Sequence, residues 1–436
     1  MPIDFDRARE LVAQSSSLKY SGKVIMIAGL TVEANGPAVQ IGEMCRIYTL
    51  DGTGFTPAEV VGFKERRVLL MPYGSLAGVG PGSRVVSTNR TMRVPVGQSL
   101  MGRVLDGLGN PIDGGPPLVT DSFYPVENSP PNPLSRPMIT ETLPLGVRAI
   151  DGLLTCGRGQ RVGIFAGSGV GKSTLLGMIA RNAKSDVNVI TLIGERGREV
   201  NGFLKNDLGE EGLRRSVIVV ASSDQAALIR AKSAMVGTSI AEYFRDQGCN
   251  VLLMMDSLTR YAMAQREIGM SIGEPPVSRG YTPSVYTVMP KLLERAGNSP
   301  KGTITALYTV LVEGDDLNEP ITDTARGILD GHIVLTRALA NRNHYPAIDV
   351  LASVSRLMPE IVPREHYDRA GFIKSMMAVY RDAQDLINIG AYKAGSNPEI
   401  DASIRLNAAI TGILQQRVDE KSSLEETVNR IMSIEK

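Results

Sequence analysis

Arg161-Val-Gly-Ile-Phe-Ala166, followed by Gly167-Ser-Gly-Val-Gly171-Lys172-Ser173-Thr174-Leu-Leu-Gly-Met-Ile-Ala180, is the stretch on which the fold turns. The first run reads as a short buried strand and Lys172 to Ala180 as the helix after it, with glycines 167, 169 and 171 filling the joint. Strand, glycine-rich loop and helix N-terminus together make an anion cradle. Glycines let backbone N–H groups turn inward, the helix dipole adds partial positive charge, and Lys172 can reach the β/γ phosphates of a nucleotide. Gly167, Ser168, Gly169, Val170, Gly171, Lys172, Ser173 and Thr174 are therefore the expected phosphate-binding residues, with the Ser173 hydroxyl on Mg²⁺. Ala166 stands where the usual pattern has its first glycine, and it is small enough to be tolerated. A turn that merely joins strand to helix is the competing reading, and the Gly-Lys-Ser ending weighs against it. The chain is expected to bind a nucleoside triphosphate.

Around that loop, a chain of 436 residues is too long for one ordinary core, so two or three domains are expected. Its 43% hydrophobic and 21% charged content is that of a soluble globular protein. A net charge of +1 gives no general attraction to nucleic acid or to an anionic membrane. With no tryptophan and only 8 phenylalanines, a platform for stacking single-stranded bases has little raw material. Cys45, Cys156 and Cys249 lack metal-type spacing and read as free thiols in a reducing compartment. His332, His344 and His366 show no ligand spacing either. Neither a basic-then-apolar leader nor a run of about 18 apolar residues is visible, so a cytoplasmic location is expected.

Along the chain, residues 1–18 carry Phe5, Ala8, Leu11 and Val12 at a helix-compatible spacing, either a tail or a docking segment for a partner. Residues 19–93 read as short β-runs between glycine turns: Lys23–Ile27, Ala38–Ile41, Cys45–Leu50, Ala58–Val61, Arg67–Met71 and Arg84–Ser87. That spacing predicts a small antiparallel β-barrel. Residues 94–362 include a proline-rich stretch, Tyr124 to Leu145, expected to be an ordered crossing. After it, apolar strands alternate with helical segments. Asn188–Ile193, Ser216–Val220, Asn250–Met255 and Thr303–Val312 are near-continuous apolar runs, as a mostly parallel sheet covered on both faces requires. Residues 363–436 read as helices interrupted at Gly390 and at Gly395–Pro398. The expected fold is thus multidomain α/β: barrel, phosphate-loop α/β domain of the RecA type, and helical C-terminal domain.

Three further positions carry chemistry. Asp256 closes the strand Asn250–Met255, where a carboxylate can hold Mg²⁺ through water; a helix cap is the plainer alternative. Glu195 follows the strand that ends at Ile193, in Gly194-Glu195-Arg196, where a carboxylate can polarise the attacking water. Arg356 ends the run Pro346-Ala-Ile-Asp-Val-Leu-Ala-Ser-Val-Ser355 and could face its own site or a neighbour's.

Together, the phosphate loop, Gly-Glu-Arg, the Asp256 strand, Pro346–Ser355 and Gly102-Arg-Val-Leu-Asp-Gly-Leu-Gly-Asn-Pro-Ile-Asp-Gly114 resemble the hexameric ATPases related to the rotary ATP synthase α and β subunits. The resemblance spans residues 20–436. Leu143–Thr155, Pro275–Ser284 and Asp385–Pro398 are most similar to the flagellar type III export ATPases within that group. The resemblance implies ATP and Mg²⁺ as ligands, with Lys172 and Ser173 on phosphate and metal, and Glu195 activating water. It further implies Arg196 and Arg260 on phosphate, Asp256 holding the metal through water, Arg356 acting across a subunit boundary, and Tyr367 packing on adenine. It implies a homohexamer with catalytic interfaces, because Glu195 stands where noncatalytic subunits of the synthase type carry glutamine. The implied partners are a flagellar export regulator, export-gate components at the cytoplasmic face of the membrane, export chaperones and flagellar substrates, with no nucleic acid. A virulence-type secretion ATPase is the close alternative. A rotary synthase catalytic subunit fits less well, since Lys393, Gly395 and Pro398 replace its acidic lever. An RNA-translocating helicase fits least.

Overall fold

The computed structural model describes residues 21–312, 316 and 318–435, so the expected docking segment 1–18 lies outside the described residues. The described chain divides into two compact units. One is the N-terminal part up to Arg93 with Ala226–Leu228 and Glu267–Pro275; the other holds the rest.

The first unit is a closed antiparallel barrel. β1 (Ser21–Ala28), β2 (Thr31–Asn35), β3 (Glu43–Tyr48), β4 (Phe55–Lys64), β5 (Arg67–Pro72) and β6 (Arg84–Thr91) pair in the order β1-β2-β5-β4-β3-β6. Strand alternation points Val32, Ala34, Cys45, Ile47, Ala58, Val60 and Leu70 into a common interior. One expected strand is wrong. Ala38–Ile41 is irregular, and the partner of β1 is instead β2, reached by a tight turn that sets Ala28 opposite Thr31. Pro37 has no N–H for a ladder, and Ile41 is 66% exposed, although Val39 still packs against the barrel core.

In the second unit, β7 (Arg93–Val96), β8 (Val104–Asp106) and β9 (Ser122–Pro125) come first; β7 pairs with β9, and β8 joins the large sheet. The other strands of that sheet are β10 (Arg161–Ala166), β11 (Val187–Glu195), β12 (Ser216–Ser222), β13 (Asn250–Asp256), β14 (Gly297–Asn298), β15 (Thr303–Leu311), β16 (Gly331–Leu335) and β17 (Ile348–Ser355). Their order is β17-β16-β10-β15-β13-β11-β12-β8, with β14 pairing to β15. All pairs are parallel except β16–β17 and β14–β15. The central strands are buried on both faces, which explains their unbroken apolar sequences.

The proline-rich crossing is held by charged groups as well as by the buried side chains of Val126, Leu143 and Leu145. Arg295 donates to the Val126 carbonyl at 2.8 Å and pairs with Glu242, both side chains almost wholly buried. Arg136 reaches back to the Ala296 carbonyl at 2.6 Å. The C-terminal helices Arg364–Asn388, Pro398–Leu414 and Leu424–Met432 bury Ile373, Met376, Leu406, Ile410 and Ile431 against Leu145, Ile150 and Leu153. They fall in the same compact unit as the sheet. Among the described residues, no helix is long and apolar enough to cross a membrane.

Candidate active site

β10 ends at Ala166, and the chain turns through residues 167–171 into the helix Lys172–Asn182. Gly171 caps that helix at φ 90° and Gly169 sits at φ 80°, in the left-handed region that strains any L side chain. Val170 is buried in the same core as Leu175 and Leu176, pinning the loop from within. Ser168, Gly169 and Ser173 stand exposed. Leu175 N–H donates to the Gly171 carbonyl, which leaves the N–H groups of Lys172, Ser173 and Thr174 directed out of the helix end. The Thr174 hydroxyl itself is engaged with Asp207.

Parallel strands deliver their C-terminal ends to one edge of the sheet. β11 ends on Glu195 and β13 on Asp256, in adjacent register with Leu192 opposite Asp256. Lys172 Nζ bonds Asp256 Oδ1 and lies 3.6 Å from Glu195 Oε1. From β15, Thr309 Oγ1 donates to the same Asp256 oxygen at 2.7 Å. Three neighbouring strands and the loop thus converge on the Lys172–Asp256 pair. Burial works against that charge, but Asp256 and Glu195 outweigh it and hold the Lys172 pKa above its ordinary value. Burial pushes the Glu195 carboxyl up to about 7; Asp256 adds to the rise and Lys172 opposes it, while Glu199 contributes a hydrogen bond. Glu199 falls below its ordinary range, chiefly through that bond. The Ser173 hydroxyl and the Asp256 carboxylate form a sparse, oxygen-only donor set, which suits Mg²⁺ shared with substrate phosphates. Among the described residues, no group of three acids, histidines or cysteines could hold a metal alone.

The other expected residues sort by distance from this point. Arg260 lies in the first turn of the helix Leu258–Ser271 and packs on Gly194, where an added Cβ would lie 3.2 Å from its side chain. Its Nε is buried without a hydrogen-bond partner, an unspent donor on a side chain that lies against Gly194. Arg196 is 76% exposed at the side chain and pairs with Glu199 at 3.5 Å, so it is not gathered against Lys172. Arg356 lies at the other end of the sheet. Its N–H bonds the Asp330 carbonyl, and Ser355 pairs with Gly331 at the start of β16, whereas the loop lies beyond Leu335 at the end of β16. The length of β10, roughly 20 Å for six residues, separates Arg356 from its own phosphate loop.

Tyr367 needs correction. It lies in the first turn of the helix Arg364–Asn388, where the neighbouring His366 bonds the Gly152 carbonyl. That end follows β17 at the far side of the sheet. The aromatic residue against the loop is Tyr345, whose ring carbons stand 3.5 Å from a Cβ built on Gly171. Tyr345 is 40% exposed and shares a groove with Asn343, Gln415, Val418 and Asp419. The only sequence signal for it was its place just before Pro346, and no local pattern shows that this turn returns to the loop.

Comparison with known proteins matches the chain domain by domain. Residues 146–355 match the ATP synthase alpha/beta family, nucleotide-binding domain; residues 24–89 match the beta-barrel domain of that family; and residues 362–433 match the T3SS EscN ATPase C-terminal domain. The chain is 54% identical to the flagellum-specific ATP synthase of Bacillus subtilis, over 98% of this chain and 97% of that one. It is 50% identical to the type 3 secretion system ATPase of Xanthomonas euvesicatoria, over 98% and 96%. Among solved structures, the assembled ATPase EscN from the type III secretion system of enteropathogenic E. coli superposes with a TM-score of 0.90 at 48% identity, covering 95% of this chain and 99% of that one. With barrel, phosphate loop and helical end all accounted for, the chain belongs to the ATP synthase alpha/beta family, in the branch of flagellum-specific ATP synthases and type III secretion ATPases.

Proposed function

We propose that this protein is the ATPase of a flagellar type III export apparatus, hydrolysing ATP with Mg²⁺ at the interfaces of a homohexamer to promote export of flagellar proteins. The observation that carries the hydrolytic reading is the convergence of Glu195 and Asp256 on Lys172 Nζ from two adjacent strands. An arriving triphosphate would take Lys172 from Asp256, as phosphate oxygens compete for the same ammonium. Mg²⁺, held by Ser173 and through water by Asp256, would neutralise charge on the phosphates. Glu195 would accept the proton of the attacking water, and the free Nε of Arg260 would hydrogen-bond a phosphate oxygen. Arg196, solvent-facing in the single chain, would reach phosphate only after a shift of its loop. Tyr345, in place of Tyr367, would pack on the base. Arg356, remote from its own loop, would serve a neighbour's.

The flagellar assignment rests on the 54% identity to the Bacillus subtilis relative. The 50% identity to the Xanthomonas protein favours a secretion ATPase of the virulence type as the second reading. Isolation of the protein from motile cells separates them by the company it keeps: an export regulator, gate components and chaperones of flagellar substrates at the cytoplasmic face of the membrane, or their virulence counterparts.

Glu195→Gln tests the chemistry. The variant should bind ATP as the wild type does and lose at least about a hundred-fold in turnover, the scale of a lost general base. In the wild type, kcat/KM should climb as pH rises through about 7, because the Glu195 carboxyl is raised to about 7 and only its deprotonated form accepts a proton. Undiminished hydrolysis by the variant would remove Glu195 from the role.

A further inference from the structure

The segment 415–420 forms one wall of the groove of about 520 Å³ that Tyr345 borders. It is irregular after Leu414, where the helix Pro398–Leu414 ends, so its position has to be fixed by side chains. Arg148 does most of that fixing. It begins the short helix Arg148–Leu153 and is 2% exposed. Its Nε donates to the Ile413 carbonyl at 2.8 Å, one Nη to the Gln415 carbonyl and the other to the Glu420 carboxylate. Its backbone N–H donates to Gln416 Oε1 at 2.8 Å.

Gln416 is itself 4% exposed and completes the clamp. Its Nε2 donates to the carbonyls of Gly146 and Glu420, each at 2.9 Å, and its N–H donates to the Tyr345 carbonyl at 2.9 Å. A single residue therefore links the wall to the tyrosine across from it. The Gly146 turn is held in turn by Asp151, which accepts the N–H groups of Leu145 and Gly146 at 2.8 Å. Arg181, on the helix that leaves the phosphate loop, donates to the Val418 carbonyl at 2.8 Å. Val418 is 44% exposed and lines the groove with Tyr345, so two apolar surfaces border one slot beside Gly171.

We infer that Arg148, acting with Gln416, is a positioning residue for the nucleotide base: it sets the gap between Val418 and Tyr345 into which a planar base fits. This inference rests on the reading of the phosphate loop as an ATP site. Arg148 touches neither phosphate nor base, and its guanidinium is spent on two carbonyls and a carboxylate. Removing it should loosen the grip on the base while leaving the phosphate end intact.

The test measures KM and kcat for ATP in the full chain, together with the inhibition constant of inorganic triphosphate, which has no base. Arg148→Gln should raise KM for ATP about ten-fold, the loss of one good stacking contact, with kcat within about two-fold. The triphosphate inhibition constant should not move. Glu420→Gln, whose site is partly exposed and folds more safely, should shift KM in the same direction by about three-fold. An unchanged KM in both variants would overturn the inference, as would KM and the triphosphate constant rising together. If Arg148→Gln does not fold, Glu420→Gln decides by the same two readouts. A wild type that hydrolyses no ATP, or a Lys172→Ala variant that still does, removes the parent reading and this one with it.

Discussion

At the scale of single residues, position in sequence and position in space diverge most for the aromatics. Tyr345 and Tyr367 both stand in polar stretches near the end of the α/β fold, and nothing local distinguishes them. The antiparallel return of β17 along β16 decides the matter, because it brings the residues before Ile348 to the loop end and carries those after Ser355 away. Tyr345→Ala should accordingly raise KM for ATP about ten-fold, the usual cost of a lost base stack, while Tyr367→Ala leaves it within two-fold. Equal effects in the two variants would contradict the placement. Glu195 and Asp256 were legible because a carboxylate at the end of a buried strand is a local pattern. The depth of Glu195 was not, since it depends on neighbouring strands meeting around it.

At the scale of elements, the long apolar strands could be read directly, because burial on both faces removes polar alternation altogether. The short strands could not. β8, with three residues, and β14, with two, are held by their neighbours and have no pattern of their own. The crossing segment is a third case: its prolines announce a connection, yet the groups that fix it lie more than a hundred residues away. Arg295 is the centre of that attachment, with Glu242, Ser239 and the Val126 carbonyl as partners. Arg295→Ala would leave Glu242 buried without its counter-charge, a loss of about 3–5 kcal/mol. Guanidinium unfolding followed by circular dichroism should show that loss as a lower midpoint. A midpoint equal to the wild type's would mean that the crossing is held by other contacts.

At the scale of the whole molecule, Arg356 and the phosphate loop occupy opposite ends of the same sheet. Under the proposed function, a Lys172→Ala chain lacks a working loop but still offers Arg356, and an Arg356→Ala chain is the reverse. Each alone should be nearly inactive. Mixed before assembly, they should recover a measurable fraction of hydrolysis, because some interfaces pair two intact halves. No recovery, with mixed assemblies demonstrated by tagging, would return Arg356 to a structural part. In the proposed homohexamer the copies join head to tail, each offering Arg356 to the next copy's loop. An open row of such copies ends in one loop without an arginine and one arginine without a loop. Only closure into a ring leaves no such remainder, so activity per chain should depend on concentration and rise most steeply at the step that closes the ring.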